Sequence, residues 1–248
     1  MFEFRPVPAV ATEGFITDLA LDFGEPLIGC CRFDSRCFYD ALSDALALPF
    51  PAPLTQAVRK RRAEYLASRY LAREVIQRLG RPGFILGNAA DRSPCWPDGI
   101  AASLSHSDGI AVLAATRQPI CLGIDVERTM TTESAEETAD ILMTRAEKQR
   151  LRQLALPFAE AATLLFSLKE SLYKALWPVL HQPMDFHQAE LVEVDLAGLR
   201  ARLRLTHDFS ETFCSGRLLE GRFHCQDDRV ITLVSCEANE KKPAHELS

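Results

Sequence analysis

An α+β fold follows from three features of this 248-residue chain. Two pairs of short apolar runs are joined by tight polar turns, the pattern of antiparallel hairpins. Two longer segments carry apolar residues at helical spacing. Strand-like and helix-like segments occur on both sides of about residue 120. The chain therefore reads as two compact halves, residues 1–120 and 121–236, followed by a polar tail over 237–248 that is expected to be disordered.

Up to about Pro53, short apolar runs mix with Gly, Pro and Cys without a clean period, so loops and short strands are expected. From about Leu54 to Leu79, Ala63, Leu66, Ala67 and Tyr70 fall at i, i+3, i+4 and i+7 of one helical face, and Gly80 supplies the stop. Arg61, Arg62, Arg69 and Arg73 decorate the rest of this helix. Asp91 to Gly99 is rich in turn formers. Ala101–His106 and Gly109–Thr116 then read as paired strands. Ile120–Glu127, after the tight connection at Arg117-Gln118-Pro119, reads as a third strand of the same small antiparallel sheet. A strand period of two puts Asp125 and Glu127 on one face.

Ser134-x-x-Glu137 and Thr144-x-x-Glu147 both fit the capping box that opens a helix, and two short helices are expected there. Pro157 suits the first turn of a longer helix with Leu165, Leu168, Leu172 and Ala175 as its core stripe, and Pro178 is expected to end it after Trp177. A less regular strand-like stretch from Ala189 to Leu205 leads to a hairpin, Arg217–Cys225 and Arg229–Cys236, turning at Gln226-Asp227-Asp228.

Composition narrows the function classes. With 47% apolar and 25% charged residues the chain is of ordinary globular type. A net charge of -6 and a pI near 5.6 argue against a surface built wholesale for nucleic acid, so any anion site must be focused. No uncharged apolar run approaches the roughly 20 residues of a membrane span. The start, Met1-Phe-Glu-Phe-Arg-Pro, lacks the basic-then-apolar layout of a signal peptide, so a cytoplasmic protein is expected. The eight cysteines show no C-x-x-C spacing, and most are expected to be buried thiols.

Taken singly, the polar motifs have bland explanations. Asp125 and Glu127 are what a solvated strand end often carries, although two oxygen ligands with room for water and phosphate also suit magnesium. Glu170 can add a third carboxylate, yet with Lys174 at i+4 it also forms an ordinary helical pair worth a few tenths of a kcal/mol. Arg59-Lys-Arg-Arg62 resembles any solvated charge run, and His106 within Ser103-Leu-Ser-His-Ser is in isolation a core or surface histidine. Their conjunction, in this order and at these separations, is the informative feature.

That order resembles the 4′-phosphopantetheinyl transferases of the surfactin (Sfp) type. Their signatures are a G-[IV]-D-x-E strand and a [FW]-[SCT]-x-K-E-[AS]-x-x-K helix. Both are complete here, as Gly123-Ile-Asp125-Val-Glu127 and Phe166-Ser-Leu-Lys169-Glu170-Ser-Leu-Tyr-Lys174. The resemblance is closest to the enterobactin synthase component D group, through Lys60-Arg-Arg-Ala-Glu64, Cys95-Trp-Pro97, Gln118-Pro-Ile, Leu156-Pro-Phe158 and Val230-Ile-Thr-Leu-Val-Ser235, and spans roughly residues 55 to 236.

The resemblance implies two similar halves related by a pseudo-twofold, with the active site between them. It implies a phosphotransferase that moves the 4′-phosphopantetheine arm of coenzyme A onto a serine of an apo carrier protein and releases adenosine 3′,5′-bisphosphate. Asp125, Glu127 and Glu170 would hold magnesium on the pyrophosphate of coenzyme A. Glu170, or a metal-bound water beside it, would take the serine proton, while Lys169 and Lys174 offset phosphate charge. Arg61, with Arg62 as its alternative, and Arg69 would hold coenzyme A, Ser105 and His106 would meet its 3′-phosphate, and Arg92 would add a further nucleotide contact. Departures from the family pattern are small for small, Ala102 and Ser68 standing where glycine is usual.

The expected partners are coenzyme A and acyl, aryl or peptidyl carriers of nonribosomal peptide synthesis, in particular of a catechol siderophore such as enterobactin. Nucleic acid is not expected, and the chain is expected to act as a monomer. The rival from another class is a non-catalytic coenzyme A or nucleotide-binding module with a protein partner.

Overall fold

A computed structural model describes residues 2–238, so residues 239–248 of the expected tail lie outside the described residues. In chain order the elements are β1 (Arg5–Pro6), β2 (Ile16–Asp22), β3 (Leu27–Phe33), α1 (Leu42–Ala45), α2 (Arg59–Arg78), β4 (Gly87–Asn88), β5 (Pro94–Cys95), β6 (Ala101–Ser107), β7 (Ile110–Thr116) and β8 (Ile120–Arg128). They continue with α3 (Thr132–Leu142), α4 (Arg145–Leu151), α5 (Phe158–Leu180), β9 (Ala189–Asp195), β10 (Arg200–Leu205), β11 (Leu218–Gln226) and β12 (Arg229–Glu237).

The strands form two five-stranded antiparallel sheets, ordered β1-β2-β3-β7-β6 and β8-β12-β11-β10-β9, and β4 pairs with β5 in a small ribbon. Each sheet buries one face under a long helix. Ala63, Leu66, Ala67 and Tyr70 of α2 are fully buried against the first, as their spacing predicts. Leu165, Leu168, Leu172 and Ala175 of α5 are fully buried against the second. Full burial of one such aliphatic side chain contributes about 1.5–3 kcal/mol.

A third apolar cluster lies between the halves. Ile28, Ile110, Val112 and Ala114 from the first sheet meet Leu122, Ile124, Val126, Ile231 and Leu233 from the second, with Phe2 alongside. Strand alternation explains how β8 serves two cores at once. Leu122, Ile124 and Val126 face the other half, while Gly123, Asp125 and Glu127 point to the opposite side of the strand.

Several expectations are corrected. The segment before Pro53 holds two full seven-residue strands, β2 and β3, rather than loops and short strands. β6 and β7 pair as expected, but β8 joins the other sheet, because β3 and β6 already occupy both edges of β7. The Thr144–Glu147 capping box forms, whereas α3 is capped by Thr131, whose hydroxyl accepts the Ser134 N–H, and not by Ser134. Pro178 does not end α5, which runs on to Leu180 and stops at His181 in the left-handed region (φ 48°). Glu237, assigned to the tail, completes β12.

All eight cysteines are free, but only Cys31 and Cys121 are buried, and Cys95, Cys214 and Cys225 are exposed, so most are not the buried thiols expected. No described helix is long and apolar enough to cross a membrane.

Helix–sheet approach depends on glycine in both halves. A Cβ at Gly29 would stand 2.6 Å from the Val75 side chain and 2.8 Å from that of Leu71 on α2. A Cβ at Gly123 would stand 1.9 Å from the Ser171 carbonyl oxygen and 2.6 Å from the Ala175 nitrogen on α5. The first obstacle is side chain and can yield, while the second is helix backbone and cannot. Gly123→Ala is therefore expected to lower stability by about 2–4 kcal/mol in denaturant titration, by pushing α5 off the strand that carries Asp125. An unchanged midpoint would show that the helix does not rest on Gly123.

Candidate active site

The edge strands of the two sheets, β6 and β8, lie side by side and are joined through serine side chains. Ser103 Oγ accepts the Ile124 N–H at 3.0 Å, Ser105 Oγ donates to Asp125 Oδ1 at 2.8 Å, and Ser107 Oγ lies 3.5 Å from Glu127 Oε2. Alternation explains the arrangement. Serines at every second position of β6 face the second half, while Leu104 packs toward the core under α2 and His106 turns to α2 itself. Arg229 secures the same seam by donating to the Ser107 and Asp108 carbonyls at 3.3 and 2.9 Å.

Asp125 is the centre of the seam and is 1% exposed. Its Oδ1 accepts from Ser105 and from Lys174 Nζ, the latter at 2.5 Å, and Lys174 also donates to Ser105 Oγ at 2.9 Å. Its Oδ2 accepts from Ser167 Oγ at 2.8 Å. Ser167 has a single hydroxyl proton and gives it to Asp125. Thr232, opposite Asp125 in the sheet, therefore donates toward Ser167, whose hydroxyl and carbonyl oxygens it meets at 2.9 and 2.8 Å. Ser171 adds a contact to the Thr232 hydroxyl at 2.7 Å. Ser167, Ser171 and Thr232 are all fully buried, so this chain of hydroxyls supplies the polar partners that burial of Asp125 demands.

Glu127 and Glu170 carry their charge with less support. Burial pushes the Glu127 carboxyl up to about 7, with Asp125 and Glu170 adding to the rise and Lys174 opposing it. Burial likewise raises Glu170, Lys174 opposing and Asp125 adding. No described residue forms an ion pair or hydrogen bond with the Glu170 carboxylate. The donor set of carboxylate and hydroxyl oxygens has the chemistry of a site for a hard divalent cation. Among the described residues, however, no three His, Cys, Asp or Glu side chains stand close enough together to hold a metal ion. The three carboxylates are brought to one seam without being closed into a coordination shell.

Across the seam, the Arg61 guanidinium and the His106 imidazole form the opposing side. Arg61 donates from Nη1 to His106 Nε2 at 3.2 Å, and an arginine can only donate, so the imidazole proton sits on Nδ1, 4.0 Å from Glu64 Oε2. Burial holds His106 below the ordinary imidazole range, with Arg61, Lys174 and Arg69 pushing the same way against Glu64. Arg61 is about half exposed and lies 3.8 Å from Glu64.

The remaining expected residues are placed differently. Arg69 is buried, its guanidinium stacked 4.1 Å from the Tyr65 ring and committed to Leu86 O, Ser68 Oγ and Asn88 Oδ1. Arg62 pairs with Asp40, away from His106. Arg92 lies exposed at positive φ (70°) between β4 and β5, its carbonyl accepting from Asn88 Nδ2 at 2.6 Å.

Lys169 leaves the seam altogether. Ser167, Glu170, Ser171 and Lys174 share a face of α5 at i, i+3, i+4 and i+7, and about 100° per residue turns Lys169 almost to the opposite side. There its ammonium is 3% exposed and pairs with Glu147 at 2.9 Å. Burial lowers the Lys169 pKa, Glu147 opposing.

Sequence reasoning passed over Ser107, Glu64, Ser167, Thr232 and Glu147. Ser107 was legible as the third serine of an alternating run, Glu64 as one turn from Arg61, and Ser167 as a member of the α5 signature. Thr232 carries no such local mark, and Glu147 was marked only as the acid of a capping box.

Comparison with known proteins shows the family of the chain. Residues 50–116 match the family model of the 4′-phosphopantetheinyl transferase N-terminal domain, and residues 121–234 match that of the 4′-phosphopantetheinyl transferase superfamily. The chain is 36% identical over 203 residues to enterobactin synthase component D of Salmonella typhimurium, covering 82% of this chain and 83% of that protein. It is 33% identical over 214 residues to 4′-phosphopantetheinyl transferase Svp of Streptomyces mobaraensis, covering 82% and 85%. It is 30% identical over 213 residues to 4′-phosphopantetheinyl transferase PptT of Mycobacterium tuberculosis, covering 82% and 92%.

The raised Glu127 carboxyl generates a pH prediction. An unfolded chain releases this proton near pH 4.5 while the folded protein keeps it to about pH 7, so stability falls across that window and ionised Glu127 weighs against the fold above it. Glu127→Gln is expected to be more stable than the parent at pH 8 by about 1–2 kcal/mol, a figure reduced for partial solvent screening. The gap should close by pH 4.5 in chemical denaturation. A gap independent of pH would mean that Glu127 is not perturbed.

Proposed function

The chain belongs to the 4′-phosphopantetheinyl transferase superfamily, and from that premise we propose that it moves the phosphopantetheine arm of coenzyme A onto a serine hydroxyl of apo carrier proteins in a magnesium-dependent reaction. The observation that carries the proposal is the two-sided seam. Asp125, Glu127, Glu170 and Lys174 stand on the second half, and Arg61 and His106 face them from the first.

The chemistry needs a base, an anion cradle and charge neutralisation. Glu170 is a half-buried carboxylate with a raised pKa and, among the described residues, no committed partner, so it is suited to accept the serine proton. The serine oxygen then attacks the phosphorus that bears the pantetheine arm. The bond to the other phosphate breaks, and adenosine 3′,5′-bisphosphate departs with the displaced oxygen. Lys174, fixed by Asp125 and Ser105, sets a positive charge beside the phosphates. Arg61 and His106 bind the nucleotide phosphate end, and Arg92 is exposed on the same half for a further contact. Magnesium held by Asp125, Glu127 and Glu170 would neutralise charge developing on the pyrophosphate.

The relatives named enterobactin synthase component D support a carrier of siderophore or other nonribosomal peptide synthesis as the acceptor. The cytoplasm, which supplies coenzyme A, is the proposed compartment, and a monomer the proposed form.

Coenzyme A, magnesium and an apo aryl or peptidyl carrier are expected to yield a carrier heavier by one phosphopantetheine in intact-mass spectra. No gain with any carrier offered would overturn the proposal. Glu170→Gln should melt like the parent and turn over at least about 10²-fold more slowly. Parent-like turnover would remove Glu170 from the chemistry.

A further inference from the structure

Glu147 is fully buried, yet each of its oxygens is engaged. Oε2 accepts the Thr144 N–H at 2.8 Å, closing the cap of α4, while Oε1 accepts the Leu191 N–H at 2.8 Å and the Lys169 ammonium at 2.9 Å. The other two protons of Lys169 go to the Leu142 carbonyl at 2.9 Å and the Phe186 carbonyl at 2.8 Å. The end of α3, the start of α4, the middle of α5, the turn before β9 and β9 itself thus converge on two side chains.

A buried ion pair survives only when its geometry and remaining hydrogen bonds are complete, and here both conditions hold. Its value lies in direction. The Leu and Ala stripe of α5 holds the helix against the sheet, but apolar contact is non-directional, and the directional contacts of Ser167, Ser171 and Lys174 all restrain the helix from its seam side alone. A rotation of about 20° would swing a side-chain end at the rim of a helix some 10–12 Å across by roughly 2 Å, enough to misplace a catalytic group. Glu170 is the next residue in the chain, and Lys174 lies one turn beyond it.

We infer, on the transferase function proposed above, that Glu147 and Lys169 are a positioning pair. They anchor the far side of α5, completing the restraint on its axial rotation that Ser167, Ser171 and Lys174 begin on the seam side, and so aim Glu170 and Lys174 into the seam, and Lys169 does not contact the phosphates of coenzyme A. Glu147 acts from outside the seam, on the far side of the helix.

Three variants test this: Lys169→Met, Glu147→Gln and the two combined. Each is measured for melting temperature, for coenzyme A affinity by calorimetry, and for kcat on carrier at a temperature where circular dichroism shows it folded. In the parent, Glu147→Gln removes a needed acceptor and should lower the melting temperature. In Lys169→Met it removes an unpaired buried charge and should raise it, so the sign reverses. Both single variants should lose kcat at least tenfold and should bind coenzyme A within threefold of each other, any loss acting alike through Lys174, and the double variant should regain part of the kcat lost by Lys169→Met.

A tenfold loss of coenzyme A affinity on Lys169→Met that Glu147→Gln does not share would make Lys169 a phosphate contact and overturn the inference. So would the same sign of Glu147→Gln in both backgrounds, or parent-like kcat in the folded single variants. Should Lys169→Met not fold, affinity and kcat of the double variant decide in the same way. Carrier mass gain by the parent is measured alongside, so that failure of the transferase function is seen separately.

Discussion

The carboxylate of Asp125 is the constraint on which the rest of the structure depends. It is nearly fully buried, and such a charge is tolerated only when it is paired and hydrogen-bonded. Its partners come from both halves of the chain: Ser105 from the first sheet, and Ser167 and Lys174 from the helix packed on the second. Satisfying one side chain therefore requires that β6, β8 and α5 be assembled in a single relative arrangement. Gly123, two residues earlier on the same strand, allows α5 to come close enough for Ser167 to reach it.

The seam that results divides its labour by sheet face. Apolar residues of β8 fill the core between the halves, while its acidic residues look the other way, toward α5 and the serines of β6. The opposing side is held independently by α2, where Arg61 and Glu64 flank His106. Glu127 and Glu170 are left with raised pKa values and incomplete partners in an otherwise well-satisfied region. Stability alone would not favour that arrangement. It is an arrangement that the proposed site for a polyanion and a hard cation would use.

Much of this was legible in the chain because the signals were local. Helical spacing identified the buried faces of α2 and α5, alternation placed Asp125 and Glu127 together, and two motifs named most of the seam. Errors arose where the deciding contact was distant. The partner of β8 could not be read from its neighbours, since the nearby β7 has no free edge and the true partner, β12, lies about a hundred residues on. Lys169 was grouped with Glu170 and Lys174 because all three share a motif, but a motif does not say which side of the helix meets a buried acid.

By itself the sequence determined most element types after residue 53, the family and the residues able to carry charge chemistry, because periodicity and motif are properties of neighbouring residues. Tertiary structure alone decided which of those charges act together. Asp125 was joined to Ser105 across the halves, Arg69 was committed to Asn88 and the Tyr65 ring, and Lys169 was withdrawn into a pair with Glu147. The physical reason is that the environment of a charge is set by which groups burial brings within about 3–4 Å of it, and chain separation does not encode that distance.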